Sequence, residues 1–169
     1  MQDATPTILE IGPGRGDFLL FLAKERPCEK IAAIEYKRKR FDKLLKRCSP
    51  YPNISLHLGN AEDLLPELFP PETLREVYIL FPDPWPKRRH AKHRLFRPPF
   101  LEHLEFVLKA QGQVIVATDD NSYRRQIEEV FGSAPFSLLS TPFHFPTFYA
   151  QKWAKEGRTL FSLVYEKRR

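Results

Sequence analysis

Glu10-Ile11-Gly12-Pro13-Gly14-Arg15-Gly16, with Glu35 nineteen residues beyond, holds the first residue types whose spacing could do chemistry. Three glycines at alternate positions let a backbone approach a ligand closely. They follow the apolar run Thr7 to Ile11 and open a helical stretch, the turn where a doubly wound sheet binds nucleotides. The dinucleotide fingerprint Gly-x-Gly-x-x-Gly would put its third glycine where Asp17 stands, which disfavours a nicotinamide cofactor. An acid at Glu10 suits an ammonium group better than a phosphate. Glu35 ends the next apolar run, where a carboxylate can accept both hydroxyls of a ribose. A plain tight turn, with Glu35 as counter-charge to Lys37, Arg38, Lys39 and Arg40, stays open as the bland alternative. Asn60-Ala61-Glu62-Asp63 follows the third run, and there Asn60 or the neighbouring backbone can meet the ring nitrogens of an adenine. Asn60 as a helix cap is equally open, and both roles can hold.

The second segment is Pro82-Asp83-Pro84-Trp85-Pro86-Lys87-Arg88-Arg89-His90-Ala91-Lys92-His93-Arg94, one acid and one aromatic beside a dense basic run. From Lys87 to Arg97 there are six Lys or Arg and no acid, too one-signed for a solvated helix face of alternating charge. Phosphates are the natural counter-charge. A rigid proline turn with Trp85 as a packing anchor is the simpler reading.

Both segments need a scaffold. Short apolar runs bounded by turn residues recur at Thr7 to Ile11, Ile31 to Glu35, Ile54 to Leu58, Val77 to Phe81 and Val114 to Thr118. Helical periodicity lies between them, with Phe18, Phe21 and Leu22 on one face and Phe41, Leu44 and Leu45 on the next. A polar helix from Asn121 to Phe131, a run at Phe136 to Leu139 and a strand from Thr159 to Glu166 complete the pattern. Alternating strand and helix predicts an α/β fold with a mostly parallel sheet covered on both faces. The expectation is one Rossmann-like domain over residues 1–169, seven-stranded, with an antiparallel last strand. Prolines, 16 of 169, cluster at Pro82 to Pro86, Pro98-Pro99 and Pro142 to Pro146, where they predict stiff loops.

Composition narrows the classes further. A net charge of +6 and a pI near 9.4 favour phosphate-bearing partners. Cys28 and Cys48 are too far apart for a Cys-x-x-Cys motif and read as reduced thiols. The five histidines lack zinc spacing, and His90 and His93 read as surface or phosphate-contacting groups, so no metal is expected. No run approaches the length of a membrane span, and Met1 to Thr7 does not read as a leader. The expectation is a cytoplasmic protein with no membrane partner; its oligomeric state is left open.

The turn Glu10-x-Gly12-x-Gly14-x-Gly16 resembles the first motif of class I S-adenosylmethionine-dependent methyltransferases. The proline-tryptophan loop resembles the signature of the bacterial tRNA (guanine-N7-)-methyltransferase family, matched at Pro82, Asp83, Pro84, Trp85, Lys87, Arg89, His90, Lys92 and Arg94. Thr118-Asp119 with Tyr123, and Thr147-x-Tyr149 with Lys152, Trp153 and Gly157, match two further segments, so the resemblance covers nearly the whole chain. Ala150 departs from it, since the family usually has Glu there, and members usually extend further before the first strand, which suggests weaker binding by this chain.

The resemblance implies a tRNA partner, a variable-loop guanosine as target, and S-adenosylmethionine as cofactor, held by Glu10, Gly12, Gly14, Gly16, Glu35, Asn60, Ala61 and Asp83. It implies Asp83 as the catalytic residue, accepting hydrogen bonds from N1–H and the N2 amine of the guanine as positive charge develops. Lys87, Arg89, Lys92 and Arg94 are then expected on tRNA phosphates, with Asp119, Thr147 and Tyr149 on the target nucleotide. A helix cap for Asp119 and a buried anchor for Tyr149 are the alternatives. A tRNA-binding module without catalysis, or a methyltransferase with another acceptor, are the rival functions.

Overall fold

The computed structural model describes residues 5–85, 88–139 and 148–169. Among these residues seven strands form one sheet: β1 (Ile8–Ile11), β2 (Ile31–Glu35), β3 (Ile54–Leu58), β4 (Leu74–Leu80), β5 (Leu108–Thr118), β6 (Phe136–Leu139) and β7 (Phe161–Lys167). Their order is β3-β2-β1-β4-β5-β7-β6. β1 to β5 pair in parallel, and β7 runs antiparallel between β5 and β6. The predicted α/β architecture with its antiparallel last strand is what the chain adopts.

The helices are α1 (Asp17–Glu25), α2 (Arg38–Cys48), α3 (Ala61–Leu68), α4 (Pro98–Val107), α5 (Asn121–Gly132) and α6 (Phe148–Lys155), with a 3-10 turn at Arg88–His93. β1 and β2, inside the parallel part of the sheet, are buried on both faces, and the residues of the central strands divide by alternation between two cores. Leu9, Ile11, Ile34, Val77 and Ile79 pack under α3, α4 and α5, whose Leu65, Phe100, Leu104, Tyr123 and Phe131 meet them. Ile8, Ile31, Ala33, Tyr78 and Ile115 face the other way, onto Phe18 and Leu22 of α1 and Leu44 of α2. Phe21 and Leu45, expected on those faces, are 40% and 49% exposed, because the buried stripes run through Leu19 and Cys48 instead.

Pro98-Pro99 is not a stiff loop. The pair forms the first turn of α4, where a missing N–H costs no intrahelical hydrogen bond and the fixed φ is already helical. Phe81, expected at the end of β4, lies outside it at φ 55, and β4 and β5 begin earlier than predicted. Pro142 to Pro146 lie outside the described residues.

Reversal of strand order beside β1 places a crevice at the carboxyl ends of β1 and β4. Gly16 closes the turn that shapes it, at φ 82, donating its N–H to the Pro13 carbonyl at 2.8 Å and preceding the first residue of α1. A Cβ on Gly16 would stand 2.6 Å from Cδ2 of the buried Leu44. Gly16→Ala is therefore expected to cost about 1–2 kcal/mol from the left-handed backbone alone, read by denaturant unfolding. A change within experimental error would show that the turn relaxes freely.

Candidate active site

At the carboxyl edge of the sheet lies a cleft of two lobes, 280 and 440 Å³, that share Gly12, Arg40, Phe81 and Asp83. The smaller lobe is bounded by Glu10, Gly14, Asp119, Trp153 and Arg158. The larger is bounded by Glu35, Asn60, Ala61, Lys92 and Arg94. Of the residues singled out in the sequence, Glu10, Gly12, Gly14, Glu35, Asn60, Ala61, Asp83, Lys92, Arg94 and Asp119 thus line one cavity. Gly16 shapes the turn from behind, and Arg89 is exposed outside the lining, its Nε donating to His90 Nε2 at 3.2 Å. Lys87 and Thr147 lie outside the described residues, as does the side chain of Tyr149.

The two acids are both buried, Glu10 at 2% and Glu35 at 3% exposure. Glu35 Oε1 accepts the Lys37 backbone N–H at 2.7 Å, while its Oε2 and the Oε2 of Glu10 have no hydrogen-bond partner among the described residues. A buried polar atom left unpaired is costly, and such atoms beside a cavity mark where a ligand's donors belong. Burial raises the Glu10 carboxyl to about 8, with the negative charges of Asp17 and Glu35 adding to the shift. Gly12, at φ 70, has nothing within 4 Å of where a Cβ would stand, so the turn backbone faces open space. Asn60 is the cap of α3, its Oδ1 accepting the Glu62 N–H at 3.1 Å, and it also borders the cleft. The two sequence readings of Asn60 are therefore compatible.

Asp83 sits at the junction of the lobes with its carboxylate exposed, 3.9 Å from Lys37 Nζ. The loop around it is held open by unusual backbone. Phe81 and Trp85 lie at φ 55 and 43, and such left-handed non-glycine residues persist only where the surroundings enforce them. The enforcing contacts are visible. Phe81 donates its N–H to the Ala117 carbonyl at 2.8 Å and sets its ring edgewise on Trp153, centroids 4.8 Å apart. Trp85 meets the rings of His90 at 5.8 Å and His93 at 5.2 Å.

Arg94, expected on a tRNA phosphate, supplies the remaining clasp. It is 8% exposed, donates from Nε to the Pro84 carbonyl at 2.7 Å and from Nη1 to Gln126 Oε1, and lies 5.0 Å over the Tyr123 ring. A planar guanidinium can bridge a loop carbonyl and an aromatic face, and here it is turned inward to do so. Tyr123 in turn accepts the Leu95 N–H at 3.1 Å on its hydroxyl oxygen. Lys92 remains exposed at the rim.

Asp119 is not a helix cap. Asp120 caps α5, accepting the Tyr123 N–H at 2.7 Å, while Asp119 borders the cleft and its Oδ2 accepts from Arg158 Nη1 at 2.8 Å. Arg158 also lies 5.4 Å over Trp153. Arg158 and Arg40 were not singled out from sequence as site residues. Arg158 follows Gly157 of a matched segment, and Arg40 was read only as a counter-charge to Glu35. Ala150 is 8% exposed and packs in the α1 and α2 core. Among the described residues no group of three or more His, Cys, Asp or Glu is placed to hold a metal ion, and no helix is long and apolar enough to cross a membrane.

The raised Glu10 carboxyl makes stability depend on pH. Between the ordinary glutamate value, about 4.3, and about 8, the folded chain holds a proton that the unfolded chain has lost. Glu10 therefore makes the ligand-free protein lose stability as pH rises through that window, with no further loss above it. Chemical unfolding of wild type and Glu10→Gln at pH 6 and pH 8.5 should show the difference between them growing with pH, in favour of Gln. Parallel pH dependence in the two proteins would contradict the burial assigned to this carboxyl.

Comparison with known proteins gives this geometry a context. The family model described as "Putative methyltransferase" matches residues 4–163. A tRNA (guanine-N(7)-)-methyltransferase of Chlorobium phaeobacteroides is 32% identical over 174 residues, covering 100% of this chain and 85% of that protein. Those of Thermotoga maritima and Thermus thermophilus are 34% and 35% identical, covering 95% and 97% of this chain. The chain spans only 53% and 55% of the length of these two. Among solved structures, the 16S rRNA methyltransferase KamB superposes with TM-score 0.73 at 15% identity, covering 97% of this chain and 88% of that one. A SAM dependent methyltransferase from Aquifex aeolicus gives TM-score 0.68 at 15% identity over 96% and 82%. These two likenesses show the fold, and the matches in sequence show the lineage: the chain belongs to the tRNA (guanine-N(7)-)-methyltransferase family.

Proposed function

We propose that this chain transfers a methyl group from S-adenosylmethionine to N7 of a guanosine in tRNA. The observation that carries the reading is Asp83, an exposed carboxylate at the junction of the two lobes, on a loop held by Phe81, Trp85 and Arg94. The family's relatives are named for this reaction on tRNA.

The cleft fits the cofactor. The unpartnered Glu35 Oε2 suits ribose hydroxyls, and Asn60 and Ala61 border the same lobe where an adenine would lie. The unpartnered Glu10 Oε2 and the open backbone at Gly12 and Gly14 suit the amino-acid end, whose ammonium would draw the Glu10 proton off. When bound, S-adenosylmethionine supplies an electrophilic methyl group on a sulfonium.

Guanine N7 has a lone pair in the neutral base, so no proton has to be removed before it attacks. The task of the protein is alignment, which supplies roughly 7–11 kcal/mol in the best intramolecular cases. Attack leaves positive charge on the guanine, and a carboxylate accepting from N1–H and the N2 amine stabilises that charge increasingly toward the transition state. Asp83 is assigned that role. Asp119, Thr147 and Tyr149 are assigned to holding the target nucleotide, and Lys87, Arg89 and Lys92 to tRNA phosphates. Arg94 is assigned to holding the Asp83 loop.

The test is transfer of radiolabelled methyl from S-adenosylmethionine to unmodified tRNA, with the product nucleoside identified by mass spectrometry. Wild type should yield N7-methylguanosine. Asp83→Ala should lower kcat by about 10²- to 10³-fold, the usual effect of removing one transition-state partner. Cofactor binding without transfer to any tRNA would overturn the reading and favour a binding module or another acceptor.

A further inference from the structure

The basic segment of the signature loop is matched by a second concentration of positive charge at the cleft. From Lys37 to Arg47 there are seven Lys or Arg and one acid, Asp42, and all eight side chains are exposed. Asp42 is engaged by Arg38 at 3.0 Å, Arg47 reaches Asp17 at 3.1 Å and Lys37 lies 3.9 Å from Asp83. Lys39, Arg40, Lys43 and Lys46 have no carboxylate partner among the described residues.

Helix stability does not explain this arrangement. Arg38, Lys39 and Arg40 occupy the first turn of α2, which has no acid, although cations there oppose the positive end of the helix dipole. Sequences that break a local rule without a local gain do so most often for function. The shape of the surface agrees. Arg40, Lys43 and Arg47, at successive three- and four-residue steps of α2, line a groove of 400 Å³ with Gly14 and Arg15 of the glycine turn. Gly14, Arg15 and Arg40 also line the smaller lobe of the cleft, so the groove opens directly onto it.

We infer that α2 and the glycine turn form a second phosphate-binding face, which holds the tRNA backbone beside the target nucleotide. This rests on the tRNA substrate proposed above. The topology explains why two faces are useful. β1 lies between β2 and β4, so α2, after β2, and the signature loop, after β4, flank the glycine turn on its two sides. A strand entering the cleft then has cations along its backbone on both sides of the target base. Phosphate contacts of this kind fix register and orientation and carry no sequence information.

The test is equilibrium binding of unmodified tRNA by the full chain across a salt series, comparing wild type with the triple variant K39Q/K43Q/K46Q. The control is K109Q/R168Q/R169Q, which removes the same charge from exposed residues at the start of β5 and the end of β7, the opposite edge of the sheet. The α2 variant should reduce the slope of log affinity against log salt by about 2 to 3, and the control should leave the slope near wild type. S-adenosylmethionine affinity should be the same in all three. The single variant K43E gives the same reading, as a loss of tRNA affinity at fixed salt, if the triple variant unfolds. Equal slopes in the two triple variants overturn the second face and leave the proposed function standing. A wild type that binds no tRNA overturns both, as does one that binds phosphatidylserine vesicles in place of tRNA.

Discussion

Two carboxylates, Glu10 and Glu35, are buried at the ends of adjacent parallel strands with one oxygen each unpartnered, and the rest of the cleft is arranged around that exposed need. β1 pairs with β2 in a register that sets Ile11 against Ile34, just before both chains leave the sheet. The Gly12 N–H closes onto the Ile34 carbonyl at 2.8 Å and the Gly59 N–H onto the Glu35 carbonyl at 3.1 Å. Backbone hydrogen bonds are thereby satisfied at these two strand ends, and one carboxyl oxygen of each acid is left for a ligand. Desolvation of this kind destabilises the ligand-free chain and strengthens any complementary contact made in the cleft.

The second requirement of the proposed reaction is a fixed loop around Asp83. A reaction that depends on alignment loses rate steeply when a positioning group drifts by an ångström. The Asp83 loop meets this with its prolines and with clasps from three elements: Arg94 onto Pro84, Trp153 of α6 onto Phe81, and His90 and His93 of the 3-10 turn onto Trp85. The left-handed conformations of Phe81 and Trp85 cost of order 1–3 kcal/mol each, which is the strain these contacts offset. Asp83 itself is left exposed, bordered by Lys37, which suits the role proposed for it toward a base with N–H donors.

Much of this was legible in the chain. Parallel strands read as short continuous apolar runs, and the five of this sheet were found that way because burial dictates their composition, while β6 and β7 showed as a short run and a final strand beyond them. The glycine turn, Glu35, Asn60 and Asp83 were legible because a strand-to-helix turn at a known edge of the sheet admits few alternatives. What was not legible has equally specific causes. Pro98-Pro99 reads as a loop until α4 is seen to begin there, since proline at a first turn and proline in a bend look alike in sequence. Arg94 reads as one more cation in a basic run, and only the position of Tyr123 and Gln126 on α5, some thirty residues away, turns it inward. Arg158 and Asp119 meet through a contact spanning 39 residues, beyond the reach of any local pattern. The basic face of α2 was visible as composition, but its opening onto the cleft is a property of the packed helix.

The central claim is that the cleft presents guanine N7, and no other atom, to the methyl donor. The most direct test is methyl transfer to tRNA transcribed with 7-deazaguanosine, in which a C–H replaces N7 while the Watson–Crick edge proposed to meet Asp83 is retained. The account predicts that such tRNA binds and competes but accepts no methyl group, while guanosine-containing tRNA is methylated. Methylation of the deaza tRNA at a rate near that of the unsubstituted transcript would contradict it.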